Sequence, residues 1–316
     1  MGGSDSRAGI EVYGRAMRYA EVQGAARGAG ALQLVRLGAC DFEFDVAEAL
    51  LGLSGPTHLD TIATAVREIF AGSAARSLVV AVHPWNCTSF FSPLPAGMPP
   101  SARFEQLRQE AAMLSDATVA RPVRVKAQPV RIETLADGQR AHWHHVLRLS
   151  DSVHARLDHV TTPPDEHESA WAHEFVDATA AAAAVVGRRF EMEHEDSADE
   201  DPFALAIGVY GARCEVALCH GATWHFGYHA EAGALEDGAY FVAALLDRLG
   251  VGLDAVEQLF LYGDSADEDA IEGVEDLLGL RAQPLNPLDV FRPARSGADP
   301  LTLASYTPVI GALLRG

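Results

Sequence analysis

Residues 8–24, AGIEVYGRAMRYAEVQG, return as residues 205–221, LAIGVYGARCEVALCHG. Ile10, Val12, Tyr13, Gly14 and Gly24 each meet an identical residue at one constant offset, in Ile207, Val209, Tyr210, Gly211 and Gly221. Each copy reads as a strand, a tight turn carrying Gly, and a second strand. A further β-run follows each copy: ALQLVRLGACDFEF after the first and TWHFGYHAEAG after the second. Both halves then pass into a helix-like segment, 59–72 and 235–250, and from there into an apolar strand, 77–84 and 256–264. Two lobes with one β-β-β-α-β plan are what duplication of a supersecondary unit leaves behind.

The composition supports two lobes and excludes several functions. At 316 residues, 48% of them hydrophobic, the chain exceeds the usual span of one core and has the residues to fill two. No run approaches the roughly 18 uninterrupted apolar residues of a membrane span; FVDATAAAAAVVG is short and carries Asp177. The start, MGGSDSRAG, has neither the basic nor the apolar region of a secretory signal, so the expectation is a soluble cytoplasmic protein without membrane insertion. A formal net charge of −20 and the lack of a basic stripe argue against nucleic acid as a partner. Lys126 is the only lysine, which removes a P-loop and confines Schiff-base chemistry to one position. Cys40, Cys87, Cys214 and Cys219 form no Cys-x-x-Cys pair and read as reduced thiols, three of them within apolar runs.

Local chemistry elsewhere is weak. His142 and His144 share one face of a strand at a spacing that two zinc ligands can use, but His225 and His229 belong to the other lobe and supply no third ligand. The runs 121–135 and 144–157 read instead as a two-stranded antiparallel ribbon. In TTPPDEHESAWAHEF (161–175), Asp165, Glu166 and Glu168 after a Pro pair suit the acidic first turn of a helix better than acid–base catalysis. The acid run 191–202 reads as a solvated loop and the Pro-rich 285–300 as a connection. No Gly-x-Ser-x-Gly elbow is present.

The ordered set of segments resembles the actin-like ATPase superfamily, and within it the PilM/FtsA-like group. GIEVYGRAMRYAEV lies where that group has its first phosphate hairpin, and AIGVYGARCEVAL takes the place of the second. LVVAVHPWNCTSFFSPLPAGMPPSARFEQLRQEAAML is similar to the group's strand, second strand and helix. WAHEFVDATAAAAAVVG is similar to its interdomain segment, LFLYGDSADEDAIEGVEDLLGLRAQPLNPL to its adenosine-motif strand and helix, and YTPVIGALLRG to its final helix. The resemblance implies an α/β (mixed α+β) fold with two ribonuclease-H-like, actin-like lobes. Residues 1–84 are then lobe one, 85–165 an inserted α+β subdomain, and 166–316 lobe two, opening with the Ala-rich helix and closing with a helix over 302–315. Between 228–233 and 256–263 there is room for one helix only, so the subdomain that normally covers the nucleotide is missing.

In active members the two hairpins wrap phosphates with Gly and Ser backbone N–H groups, and a strand Asp holds Mg²⁺ through water. Here the resemblance places Glu11 at the first Asp position, Tyr13 where Gly admits phosphate, and Gly14, Arg15 and Ala16 in the Ser run. The second Asp position is Gly208, Tyr210 again replaces Gly, and Gly211 and Arg213 follow. Arg15, Arg18 and Arg213 are cations near the expected cleft; Gly263 is the one Gly left of the adenosine pair, with Asp264 beside it to repel phosphate. The implied reading is a non-catalytic actin-like scaffold without cofactor. It would serve an envelope machine such as a type IV pilus or type II secretion system, at the inner face of the cytoplasmic membrane. There it would bind a short peptide or cytoplasmic tail of a membrane assembly protein. The alternatives are a nucleotide-binding ATPase with a divergent cleft, using Mg-ATP with Glu11 as the metal's carboxylate, an actin-like protein of unassigned function, and a self-associating protein, as a homodimer or filament. Two tyrosine rings inside the cleft would favour the first reading; two rings turned outward, the ATPase.

Overall fold

The computed structural model describes residues 6–24, 32–52, 55, 57–114, 123–135, 137–162, 171–194, 202–231, 235–291 and 298–315. The first lobe contains β1 (Ser6–Tyr13), β2 (Ala16–Gln23), β3 (Gln33–Asp41), α1 (Val46–Leu51), α2 (Leu59–Ile69) and β4 (Ser77–Val82). An insertion follows, made of β5 (Thr88–Pro95), α3 (Pro100–Met113), β6 (Val123–Thr134) and β7 (Arg140–Ser150). Then come α4 (Asp151–Thr161), β8 (Ala172–Asp177) and α5 (Ala178–Glu193). The second lobe holds β9 (Phe203–Tyr210), β10 (Arg213–His220), β11 (Thr223–Glu231), α6 (Leu235–Leu249), β12 (Val256–Tyr262), α7 (Glu268–Leu278), β13 (Ala282–Pro284), α8 (Pro300–Ala304) and α9 (Thr307–Arg315).

The two large sheets share one topology: β3-β2-β1-β4-β8 and β11-β10-β9-β12-β13. In each, three antiparallel strands are extended by two parallel ones. The repeated turn explains the matching start. Gly14 (φ +54°) and Gly211 (φ +57°) adopt the left-handed backbone that a two-residue hairpin needs. Strand alternation then sets the faces. Ile10 and Val12 are buried against α1, α2 and α4, while Glu11 between them points to the other lobe.

Between the sheets lies a shared core built on α5 and α9. The alanine run 180–183 keeps α5 thin, so Val79 and Ala81 of one sheet and Ala204, Ala206 and Ala217 of the other join a single cluster around it. Asp177 caps α5, its Oδ1 accepting from the Thr179 N–H at 2.8 Å and the Thr179 hydroxyl at 2.6 Å.

Several elements differ from the sequence reading. Residues 172–177, grouped there with the second lobe, pair with β4 and complete the first sheet. The ribbon over 121–150 gains a third strand, giving the order β5-β7-β6, and its own small core at Leu94, Leu107, Ala111 and Val146. The run 144–157 is not all strand: β7 ends at Ser150 and α4 starts at Asp151, its Val153, Leu157 and Val160 packing into the first lobe's core. The closing helix over 302–315 is two helices, because Pro308 supplies no N–H to a continuous ladder. The acidic residues 165–168, most of the acid run 191–202 and residues 292–297 lie outside the described residues.

Candidate functional site

Where the two hairpins face each other, the sheets bring charged side chains into a buried interlobe cleft. Register places Glu11 on β1 opposite Arg18 on β2, and Gly208 on β9 opposite Glu215 on β10. The parallel neighbours of Glu11 and Gly208 are Ala81 and Tyr262, and two residues beyond these come His83 and Asp264. Position by position, the lobes therefore contribute Glu11, Arg18 and His83 from one side, and Glu215, Tyr262 and Asp264 from the other.

These six groups form one network. His83 Nε2 lies 2.9 Å from Glu11 Oε1, and its Nδ1 lies 3.1 Å from Glu215 Oε2. Ionised carboxylates only accept, so both ring nitrogens must carry hydrogen and His83 is an imidazolium. Burial opposes that charge, but Glu215 and Glu11 outweigh it and push the imidazole up to about 10. Arg18 Nη1 donates to Glu11 Oε2 at 3.1 Å, Nη2 to Asp264, and Nε to Ser305 Oγ at 3.2 Å. Burial would raise the Glu11 carboxyl, but the His83 hydrogen bond and the Arg18 charge hold it below the usual range. Tyr262 donates its hydroxyl to Glu215 Oε1 at 2.9 Å. Gly208 makes this possible: a Cβ there would stand 2.6 Å from Glu215 Cγ and 2.7 Å from the Tyr262 ring. The space that a side chain at position 208 would take is thus filled by a carboxylate from the next strand.

Aromatic rings close the mouth. Tyr13 and Tyr210, at matching hairpin positions, meet with centroids 4.9 Å apart. His83 stacks on Trp85 at 4.5 Å with an interplanar angle of 2°, and Tyr210 meets the edge of both. Tyr210 is buried, and its hydroxyl finds no hydrogen-bond partner among the described residues. Both tyrosine rings therefore sit inside the cleft.

The candidate residues read from the sequence do not all converge. Glu11, Tyr13, Arg18, Gly208 and Tyr210 line the cleft. Gly14 and Gly211 form the turns, and the Gly211 N–H donates to Ser265 Oγ at 3.0 Å. Gly263 (φ +99°) ends β12 against the Tyr210 ring. Arg213 lies over the outer part of Trp85, 5.3 Å from the ring centroid. Arg15 points elsewhere, donating Nε to the Phe42 carbonyl at 2.8 Å. His83, Trp85, Glu215 and Tyr262 were missed as site residues. The repeat carried a signal for one of them, because the position matching Arg18 is Glu215.

This donor set does not fit a magnesium triphosphate. Both oxygens of Glu11 are engaged, Gly208 offers no carboxylate, and aromatic rings fill the space between the turns. The histidines weighed as metal ligands give no centre either: among the described residues no group of three or more His, Cys, Asp or Glu is placed to hold a metal ion.

A second buried pair joins the insertion to the start of α5. His145 Nε2 stands 3.4 Å from Asp177 Oδ2, an ion-pair distance longer than a good hydrogen bond. Burial works against the Asp177 charge, yet His145 and Thr179 hold its carboxyl well below the usual range. Phe91 of β5 stacks on Phe226 and meets Trp224, while Arg131 donates to the His225 carbonyl; the insertion thus contacts the second lobe as well as the first.

No family model matches the sequence, and no curated protein matches it. Solved structures do match the fold. A chain of a PilM–PilN type IV pilus biogenesis complex is 15% identical, with a TM-score of 0.68 and 98% of each chain covered. A Bacteroides thetaiotaomicron protein with an actin-like ATPase fold and unknown function is 10% identical, with a TM-score of 0.50, covering 99% of this chain and 96% of that one. The fold is that of the actin-like ATPases.

Proposed function

We propose that this chain is a non-catalytic actin-like scaffold, and that it docks a short peptide from a membrane-anchored assembly protein of a pilus or secretion machine. The observation that carries the reading is the filled cleft: a cationic His83 bridging Glu11 and Glu215 occupies the place where a nucleotide's charge would be met. The likeness to a chain of a pilus biogenesis complex supports the same reading. None of the described helices is long and apolar enough to cross a membrane.

The peptide's seat in this reading is a cavity of about 640 Å³ where lobe one, the insertion and the start of β10 meet, lined by Leu51, Trp85, Arg148, Leu149, Val153 and Arg213. Apolar side chains beside polar ones and two arginines suit a short extended segment that offers apolar side chains and backbone carbonyls.

Calorimetric titration with Mg·ATP, with Mg·ADP as control, tests the first half of the proposal. The expected result is no saturable heat at millimolar nucleotide. Saturation at micromolar concentration would overturn the scaffold reading in favour of an ATPase. For the second half, cross-linking in native membranes should recover a partner with the unaltered chain and lose it with Arg148→Glu, which reverses a charge lining the cavity, while Gln109→Arg on the exposed face of α3 leaves recovery unchanged.

A further inference from the structure

The cleft network has one property beyond blocking a ligand: two of its ion pairs run between the lobes. Arg18 of the first lobe meets Asp264 of the second, and His83 of the first meets Glu215 of the second. Glu11, His83 and Glu215 have fully buried side chains. Opening the cleft would leave charges separated from their partners at the moment water reached them. Such a desolvated pair is costly to break by removing one side, typically by several kcal/mol, even where its net contribution to folding is small.

We infer that the cleft is a clamp locked shut by its own side chains, with Arg18–Asp264 and His83–Glu215 doing the bridging that a two-lobed clamp otherwise obtains from a bound ligand. Three further features hold the same closure. The Tyr13 and Tyr210 rings pack across the mouth. Arg18 also reaches Ser305 at the α8–α9 junction, tying the latch to the shared core. The insertion straps the lobes from the side, through Leu147 and Leu149 in the first lobe's core and Phe91 on Trp224 and Phe226 of the second. A scaffold with this latch presents one rigid surface whether or not nucleotide is present. Peptide docking at the cavity beside Trp85 then needs no preceding conformational step.

The test measures closure itself rather than nucleotide or peptide binding, so its failure is distinct from failure of the scaffold reading. Hydrogen exchange is followed at His83–Asn86 and Val209–Gly211 in the full chain, together with the radius of gyration from solution scattering. The unaltered chain is expected to scatter as the closed structure and to keep its exchange pattern when Mg·ATP is added. Asp264→Arg places a cation against Arg18; exchange at both segments should quicken roughly tenfold or more, with a larger radius, while the centre of β10 stays protected. If Asp264→Arg does not fold, as judged by its circular dichroism, Asp264→Asn is read instead and should shift in the same direction by less. Unaltered exchange in the folded variant, or an unaltered chain whose radius already exceeds that of the closed structure, would overturn the inference.

Discussion

The two hairpins share a backbone and differ in charge. In the first lobe the cross-strand pair is Glu11 and Arg18, already neutral within one sheet, with His83 two residues past the parallel neighbour. In the second the same places hold Gly208, Glu215 and Asp264. One lobe thus brings two cations and one carboxylate, the other two carboxylates and no cation. Neither set is satisfied alone, and a buried carboxylate without a donor is strongly disfavoured. Together they pair fully, with Tyr262 completing Glu215. A duplicated unit has kept its register, where one slip would turn every side chain over, and has diverged at the facing positions into halves that need each other.

Removing His83, the fully buried cation that touches both halves, should break this complementarity most severely. His83→Ala strands Glu11 Oε1 and Glu215 Oε2 in a buried site, and the expected loss of unfolding free energy is about 3–5 kcal/mol. His83→Gln keeps a donor but no charge and should lose less. Denaturant unfolding of both variants, read by circular dichroism, checks the order; a His83→Ala chain as stable as the unaltered one would mean that the network stabilises nothing.

The same residue can be discharged by alkali. His83 has its folded value pushed up to about 10 from an ordinary 6.5. The folded state therefore binds the proton more tightly than the unfolded state. The resulting stabilisation is complete below about 6.5 and drains away as the pH climbs toward 10. Denaturation midpoints measured from pH 6 to 10 should fall over this window for the unaltered chain, and fall less for His83→Gln. Parallel curves would assign the decline to other groups.

How much of this arrangement could be read from residues alone follows from the range of each interaction. The hairpins were legible because a Gly turn between alternating strands is local, and because it was written twice. The absence of a carboxylate at Gly208, where the first copy has Glu11, was legible for the same reason. The junction of β7 and α4 was not, because LRLSDSVHARL passes from strand to helix with only Ser150 as break and no Gly or Pro. The placement of 172–177 in the first sheet depends on β4 being its neighbour, which no local pattern states. The latch was hidden for a similar reason: Arg18 and Asp264 lie far apart in sequence, and only apposition of the lobes makes them a pair.

Two tyrosines on the second lobe allow the finest comparison, since both are buried in the cleft and only one is bonded. Tyr262 donates to Glu215 Oε1, so Tyr262→Phe leaves a buried carboxylate oxygen without its donor and should cost about 1.5–3 kcal/mol. Tyr210 keeps its ring contacts with Tyr13, His83 and Trp85 when its hydroxyl is removed. That hydroxyl has no partner among the described residues, so Tyr210→Phe removes a desolvated polar group rather than a bond. Its stability should stay within about 0.5 kcal/mol of the unaltered chain, or rise. A large loss in Tyr210→Phe would mean that the hydroxyl is engaged, and that a polar contact joins the rings in holding the mouth.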